Sequence, residues 1–172
     1  MRGSAFRLCQ ERSVFGPGCA LICLVAGLAT ACGRESPSAP SLSAGSSVNL
    51  SANLSYCADE VNRYRASVGL STLTRSADLE AFAAQAAKAD GLSHQAHHWF
   101  TTTGGGGMSA AENEILWWQG YGVRSVIQQG LQQMWQGGPA GEHYDIMVGP
   151  YSQIGCGIFV NGSEVTVAQD FR

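Results

Sequence analysis

The chain has 172 residues, of which 45% are hydrophobic and 13% are charged, and its formal net charge at pH 7 is −3. This length corresponds to a single domain that can bury a substantial core. The basic residues form no stripe or run, which argues against nucleic acid as a partner.

The first 31 residues have the pattern of a secretory signal peptide. Three arginines precede an apolar stretch that is too short to span a membrane comfortably, and Ala29-Thr30-Ala31 forms a small-residue cleavage site. The next residue is Cys32. This order is typical of the lipobox of bacterial lipoproteins, in which the cysteine becomes the lipidated first residue. We therefore predict that residues 1–31 are removed and that Cys32 carries a lipid.

A lipid on Cys32 predicts a location at the bacterial cell envelope. Gly33 follows Cys32, whereas enteric bacteria use Asp at this place to retain lipoproteins in the inner membrane, so we expect the outer membrane. Residues 33–55 are rich in Ser and cannot bury a core. We predict a lipidated, flexible tether over residues 32–55 and a folded domain over residues 56–172.

The cysteines suggest one disulfide bond in the exported protein. Three of the six cysteines lie within the predicted signal peptide, and Cys32 is reserved for the lipid. Cys57 and Cys156 then remain as an even pair, and exported proteins meet oxidising conditions. The alternative is two independent buried thiols, since the sequence does not give the distance between them.

Hydrophobic periodicity predicts three helices. The first covers residues 57–68 and stops at Gly69. The second begins after the N-cap residue Ser76 and ends at Gly91. The third covers residues 123–136. Its predicted inward side chains are Val123, Val126, Ile127, Leu131, Met134 and Trp135. Residues 100–109, with four consecutive glycines, are predicted to form a loop.

The C-terminal part has the alternation of β-strands. Two β-rich runs are joined by Asn161-Gly162, the strongest short signal for a hairpin. Cys156, Ile158 and Val160 should share one face of the first strand. Helices followed by an antiparallel hairpin predict the α+β class.

Several short motifs follow one another along the chain: Asn62 and Arg65, Ser93-His94, Ala111-Glu112-Asn113, Trp135 with Gly141 and His143, and Gly155-x-Gly157. Their order and content resemble the CAP superfamily, the SCP-like extracellular domain of cysteine-rich secretory proteins, antigen 5 and plant pathogenesis-related 1 proteins. The resemblance covers about residues 56–172. The chain departs from the family pattern where Glu114 extends the third motif and where Gly137-Gly138 replaces a second acidic residue.

The resemblance implies an α-β-α sandwich whose central antiparallel sheet is flanked by helices, with a surface cleft. It also implies that His94, Glu112 and His143 converge in that cleft as ligand-binding residues. Two imidazoles and a carboxylate suit Zn²⁺ or another divalent cation, with His94 and His143 as the metal ligands. The alternative is that both histidines are hydrogen-bonded structural residues.

Neighbouring residues complete these expectations. His94 and His98 have zincin spacing, but Gln95 stands where the general base would be, so we expect no zincin and solvent-facing His97 and His98. Trp117 and Trp118 cannot both face inward, so at least one should line a groove or the surface. Ser109 lacks the surroundings of a nucleophile.

Two functions remain open from the sequence, beside a purely structural role in the envelope in which the cleft is vestigial. The first is a non-enzymatic binding module of the cell envelope, whose cleft takes a small apolar, lipid, sterol-like or glycan ligand or an envelope protein, with or without a divalent metal. The second is a weak metal-assisted hydrolase of peptide or cell-wall material, in which Glu112 would be the general base.

Overall fold

A computed structural model describes residues 44–172, with side chains from Asn49 onward. The helices are α1 (Ala44–Ser67), α2 (Ala77–Ser93), α3 (His98–Thr103), α4 (Val123–Gln136) and α5 (Glu142–Val148). The strands are β1 (Thr74–Arg75), β2 (Ala111–Gln119), β3 (Gln153–Asn161) and β4 (Glu164–Phe171). The predicted signal peptide, Cys32 and the first part of the tether lie outside the described residues. Within residues 44–172, no helix is both long enough and apolar enough to cross a membrane.

The four strands form one sheet in the order β1-β3-β4-β2. β3 and β4 form the predicted hairpin, and Gly162 takes a φ of +61° in its turn. β2 pairs antiparallel with β4, and the two-residue β1 pairs parallel with β3. The α+β class is confirmed, with one short parallel strand added to the antiparallel sheet. β2 lies at an edge of the sheet.

The sheet separates two layers of helices. α2 packs on one face, and α1, α4 and α5 pack on the other. The larger core lies on the second face, where side chains of the three helices meet the apolar side chains of β3 and β4. Its fully buried members include Val61, Val126, Ile127, Leu131, Met147, Ile154, Val167 and Phe171.

The α2 layer lies unusually close to the sheet. Gly155 and Gly157 of β3 face this helix, and a Cβ atom at Gly157 would overlap the backbone of Ala83. A Cβ atom at Gly155 would overlap the backbone at Leu79 in the same way. The Gly-x-Gly pattern of β3 is therefore a packing requirement, since it allows backbone to contact backbone.

Helix α1 begins earlier than the sequence predicts. The structure places residues 44–55 in this helix, whereas composition predicted a flexible tether as far as residue 55. Leu54 and Tyr56 pack against the core, and Asn53 accepts a hydrogen bond from Arg124 Nε at 3.3 Å. Ser51, by contrast, is exposed. The exposed positions of this helix include small polar residues, so its composition resembles that of a flexible linker.

The predicted disulfide bond is present. Cys57 of α1 and Cys156 of β3 are bonded, with a Cα–Cα distance of 6.4 Å and 99 positions between them in the sequence. In the chain-entropy model, closing a loop of this length stabilises the fold by about 4.7 kcal/mol. The disulfide bond, the core and every helix and strand that the structure describes lie within residues 44–172.

Two further boundaries differ from the predictions. α2 continues through Gly91 and ends at Ser93. The glycine at position 91 does not end the helix but avoids a clash, since a Cβ atom there would lie 2.8 Å from Phe159 Cδ1. The predicted loop over residues 100–109 contains the last turn of α3 and a short 3₁₀ turn. Its glycines all have positive φ, which breaks the chain into these short pieces.

We expect Gly157→Ala to lower the free energy of unfolding by about 3 kcal/mol or more, because the new methyl group must push α2 off the sheet. Urea denaturation measures this change. Gly122→Ala is the matched control, since Gly122 has a φ of −70° and open space around its Cα. Equal losses of stability in the two variants would contradict the close-packing interpretation.

A histidine and carboxylate cleft at the edge of the sheet

Two glutamates of β2 point to the same face of the sheet as α2. Glu112 pairs with Asp170 of β4, and Glu114 pairs with Ala168. These partners continue the rows of Gly155 and Gly157 on β3. Residues directly opposite on neighbouring strands share a face. This face of the sheet therefore carries glycine and alanine beneath α2 and carboxylates toward the edge strand.

His97 covers both glutamates. Its backbone N–H donates to Glu114 Oε2 at 2.6 Å, and its Nδ1 lies 3.0 Å from Glu112 Oε1 and 3.6 Å from Glu114 Oε2. The residue has a φ of +54°, which turns the chain between α2 and α3. Asp90 holds the start of α3 by accepting a hydrogen bond from the Trp99 N–H at 2.9 Å. The prediction that His97 faces solvent is therefore wrong.

The carboxylates are buried, and their charge is only partly compensated. Glu112 and Glu114 are 4% and 6% exposed, and Asp90 and Asp170 are fully buried. Burial raises the pKa of Glu114, and it also raises the pKa of Glu112 despite the hydrogen bond with His97. The hydrogen bond with Glu112, in turn, raises the pKa of His97. Glu112 Oε2 and Glu114 Oε1 have no hydrogen-bond partner.

The opposite wall of the cleft is α5, which is held at both ends. Asn113 Nδ2 donates to the backbone oxygen of His143 at 3.1 Å, which fixes the start of this helix against β2. The buried Arg65 donates through Nη1 to the backbone oxygens of Met147 and Gly149 at 2.8 and 2.9 Å, just where the helix ends. His143 is thereby placed beside β2 on the side opposite to His97.

Two adjoining cavities follow the edge of β2. The larger, about 580 Å³, is lined by the apolar side chains of Ile115, Leu116, Trp118 and Met134 together with Glu114. The smaller, about 400 Å³, is lined by Phe100, Ile146, Glu112 and Glu142 among others. His97 and His143 line both cavities, so the two histidines stand where the cavities meet.

The structure brings together only two of the three residues expected to converge. Glu112 and His143 line the cleft, but His94 does not. His94 Nε2 lies 3.0 Å from Glu164 Oε2, and its ring packs against Trp117 with 5.0 Å between ring centroids. His94 is the left-handed C-cap of α2 and points along the surface, three positions before the histidine that enters the cleft.

The remaining candidates have simple positions. His98 is exposed, as expected. Ser109 is buried and donates to the backbone oxygen of Ala111 at 3.1 Å, which is a structural role. Glu142 lines the smaller cavity. Of the paired tryptophans, Trp118 lines the larger cavity, whereas Trp117 turns back and donates from Nε1 to the Asp90 backbone oxygen.

The sequence interpretation missed Glu114 as a site residue. Glu112 and Glu114 are two positions apart, so they share a face if they lie on a strand. That spacing was the available signal. His97, Glu112 and Glu114 each offer one ligand atom, and these atoms lie within 4.8 Å of one another, which makes them a group able to hold a metal ion.

The fold and the cleft define an α-β-α sandwich with a histidine–carboxylate site. The sequence pattern of the cysteine-rich secretory protein family, CAP, matches residues 58–171. The chain belongs to this family, as the resemblance of its motifs implied. No curated protein matches the chain closely enough to indicate a nearer relative.

The buried Asp170 generates a prediction about pH and stability. Burial raises the pKa of Asp170 from its ordinary value of 3.8 to about 8. Between about pH 4 and pH 8 the unfolded chain releases a proton that the folded protein retains, so this group makes stability fall as pH rises. Asp170→Asn removes this dependence. We therefore expect the difference in free energy of unfolding between Asp170→Asn and the wild type to shift in favour of the variant by on the order of 2 kcal/mol from pH 5 to pH 9.

Urea denaturation at the two pH values measures this difference. The control is Asp59→Asn, which removes an exposed carboxylate from α1. The prediction fails if Asp170→Asn changes stability by the same amount at both pH values.

Proposed function

We propose that this protein is a binding module of the bacterial cell envelope that holds a divalent cation at His97, Glu112 and Glu114 and a small ligand in the adjoining groove. The observation that carries this proposal is the group of three ligand atoms within 4.8 Å at the junction of two cavities. Zn²⁺ accepts imidazole and carboxylate ligands together, and three protein ligands leave a position open to the cavities.

The carboxylates themselves support a cation. Buried charges are normally paired or bound to a metal, yet Glu112 Oε2 and Glu114 Oε1 are both buried and without a partner. A divalent cation between them would satisfy both oxygens and offset the burial that raises their pKa values. A bound cation would supply a Lewis-acidic centre facing the cavities. Glu114 would act as the second acid, in place of the family position occupied here by Gly137-Gly138.

Without a bound cation, the groove favours an apolar ligand whose polar group is neutral or cationic. The larger cavity has a wall of Leu116, Trp118 and Met134, which suits an apolar body. Among the described residues that line either cavity, none is Lys or Arg, whereas Glu112, Glu114 and Glu142 are present. An anionic ligand would therefore find no compensating charge unless the cation is bound.

The sequence supports anchoring at the envelope through Cys32, since the signal-peptide pattern ends directly before this cysteine. The disulfide between Cys57 and Cys156 fits an oxidising compartment, which export provides. We therefore place the domain outside the cytoplasm, tethered to a membrane.

Calorimetric titration of Zn²⁺ into residues 32–172 carrying Cys32→Ser tests the cation site. We expect one-site binding in the wild-type domain and a dissociation constant at least about 100-fold weaker in His97→Ala and Glu114→Gln, because each change removes a ligand. Binding should weaken as pH falls, since protons compete for His97 and both glutamates.

Two histidines near His97 provide matched controls. His98→Ala removes an exposed neighbouring imidazole, and His94→Ala removes the imidazole bound to Glu164. Both variants should bind Zn²⁺ as the wild type does. Zinc binding that survives His97→Ala, or that is lost in His94→Ala, would refute the assignment.

Mass spectrometry of the protein purified from the membrane fraction of bacterial cells tests the anchor. We expect the mature chain to begin at Cys32 and to carry acyl groups, and Cys32→Ser to release the protein from the membrane. A chain that begins elsewhere, or an unmodified Cys32, would overturn the anchor and leave the cation site untouched.

A further inference from the structure

One end of the sheet carries exposed apolar side chains and lies near the start of helix α1. This hairpin end consists of the β3–β4 turn (residues 161–164), the end of β2 (residues 118–121) and the last turn of α2 (residues 90–94). Glu164 holds the three parts together. Its Oε2 lies 3.0 Å from His94 Nε2, and its Oε1 accepts from Gln119 Nε2 at 2.9 Å.

Three of the six large apolar side chains that are exposed in the described part of the chain lie on this end. Leu92 is 58% exposed, and Tyr121 and Val160 are each 52% exposed. Tyr121 packs against Trp118 with 6.1 Å between ring centroids, which presents an aromatic pair at the rim. Aromatic side chains with one polar and one apolar end are favoured at membrane–water interfaces.

Helix α1 approaches the same end. Arg124, at the start of α4, follows β2 closely and contacts α1 through Asn53 and the ring of Tyr56. Leu50, one turn earlier in α1, is 45% exposed. Ala44 precedes Asn53 by nine residues, or about 14 Å of helix. The chain upstream of Ala44 therefore joins the domain at the hairpin end.

The distance to the proposed lipid is short. Residues 33–43 separate Cys32 from α1, and a chain of this length spans at most about 40 Å when fully extended. A lipid on Cys32 would keep the hairpin end nearer to the bilayer than the opposite end, where Val68 and Leu70 lie.

The charges at this end suit an anionic surface. Lys88, one turn before Leu92, and Arg124 are both exposed. The acidic residues of the hairpin end are Asp90, which is buried, and Glu164, whose carboxylate is engaged by His94 and Gln119. The exposed acids Asp78, Glu142 and Asp145 lie on other parts of the domain.

We infer that the hairpin end is a membrane-contact face that rests on an anionic lipid bilayer, with Leu92, Tyr121 and Val160 at the headgroup level. The inference rests on the proposed anchor at Cys32, which sets where the bilayer lies. The contact is an interfacial one, in which a few apolar side chains and basic residues add to a lipid anchor.

Hydrogen–deuterium exchange tests this face directly. Residues 32–172 are coupled through the Cys32 thiol to a maleimide lipid, in vesicles of phosphatidylethanolamine and phosphatidylglycerol, and are compared with the uncoupled chain in solution. We expect amides of residues 118–122 and 160–164 to exchange about tenfold more slowly on the vesicles. Amides of residues 67–72, at the opposite end, should exchange equally in both samples.

Paired variants separate membrane contact from a general effect of tethering. The double variant L92S/V160S should lose the protection, whereas V68S/L70S removes exposed apolar residues from the opposite end and should keep it. Protection that is absent from the hairpin end, or that survives L92S/V160S, would overturn the inference. Because the lipid is attached chemically, this result is independent of whether Cys32 is acylated in cells.

Discussion

The contact between α2 and the two glycines of β3 determines the rest of the architecture. With no side chain at Gly155 or Gly157, the helix lies against the backbone of the sheet. The larger side chains of this face stand on the neighbouring strands β4 and β2. Glu112, Glu114 and Asp170 occupy those strands, in the same rows as the glycines. The segment that follows α2 then crosses the edge strand β2, where His97 contacts both glutamates. The spacing of the site thus follows from how closely one helix packs.

The edge position of β2 makes the cleft two-sided. Glu112 and Glu114 face the α2 layer, while Asn113, between them, faces the other layer and fixes the position of α5 by donating a hydrogen bond to the His143 backbone oxygen. One three-residue segment therefore contacts both walls. Arg65 completes the arrangement, since its buried guanidinium binds the carbonyls at the end of α5. The motif residues Asn113 and Arg65 thus serve the site indirectly, by holding the helix that carries His143. The unpartnered carboxylate oxygens remain the unfavourable feature that a cation would remove.

Much of the fold could be predicted from the sequence, because its signals are local. The periodic apolar residues of α4, the Ser76 cap of α2 and the Asn161-Gly162 turn each depend on a few neighbouring residues. The errors arose where contacts between residues far apart in the sequence determine the local structure. Position 91 is glycine because Phe159 fills the space that a side chain would need, and not because the helix ends there; residues 44–55 are helical, and Leu54 and Tyr56 of this segment reach the core. Choosing His97 over His94 required the left-handed turns at both residues, which reverse the chain within three positions and which the sequence does not reveal.

The groove and the hairpin end are physically continuous, and this connects ligand access with the membrane. Trp118 lines the larger cavity and also packs against Tyr121 on the proposed contact face. The apolar part of the groove therefore begins at the end of β2 that belongs to the proposed contact face, and the histidines and glutamates lie further along the strand. A ligand with an apolar body could pass from the bilayer to the groove without crossing open water, which avoids exposing its apolar surface. Its polar group would then reach His97 and His143 first, at the junction of the two cavities. Such an arrangement favours ligands that partition into lipid over those that diffuse freely in water, since only the former are concentrated at the entrance.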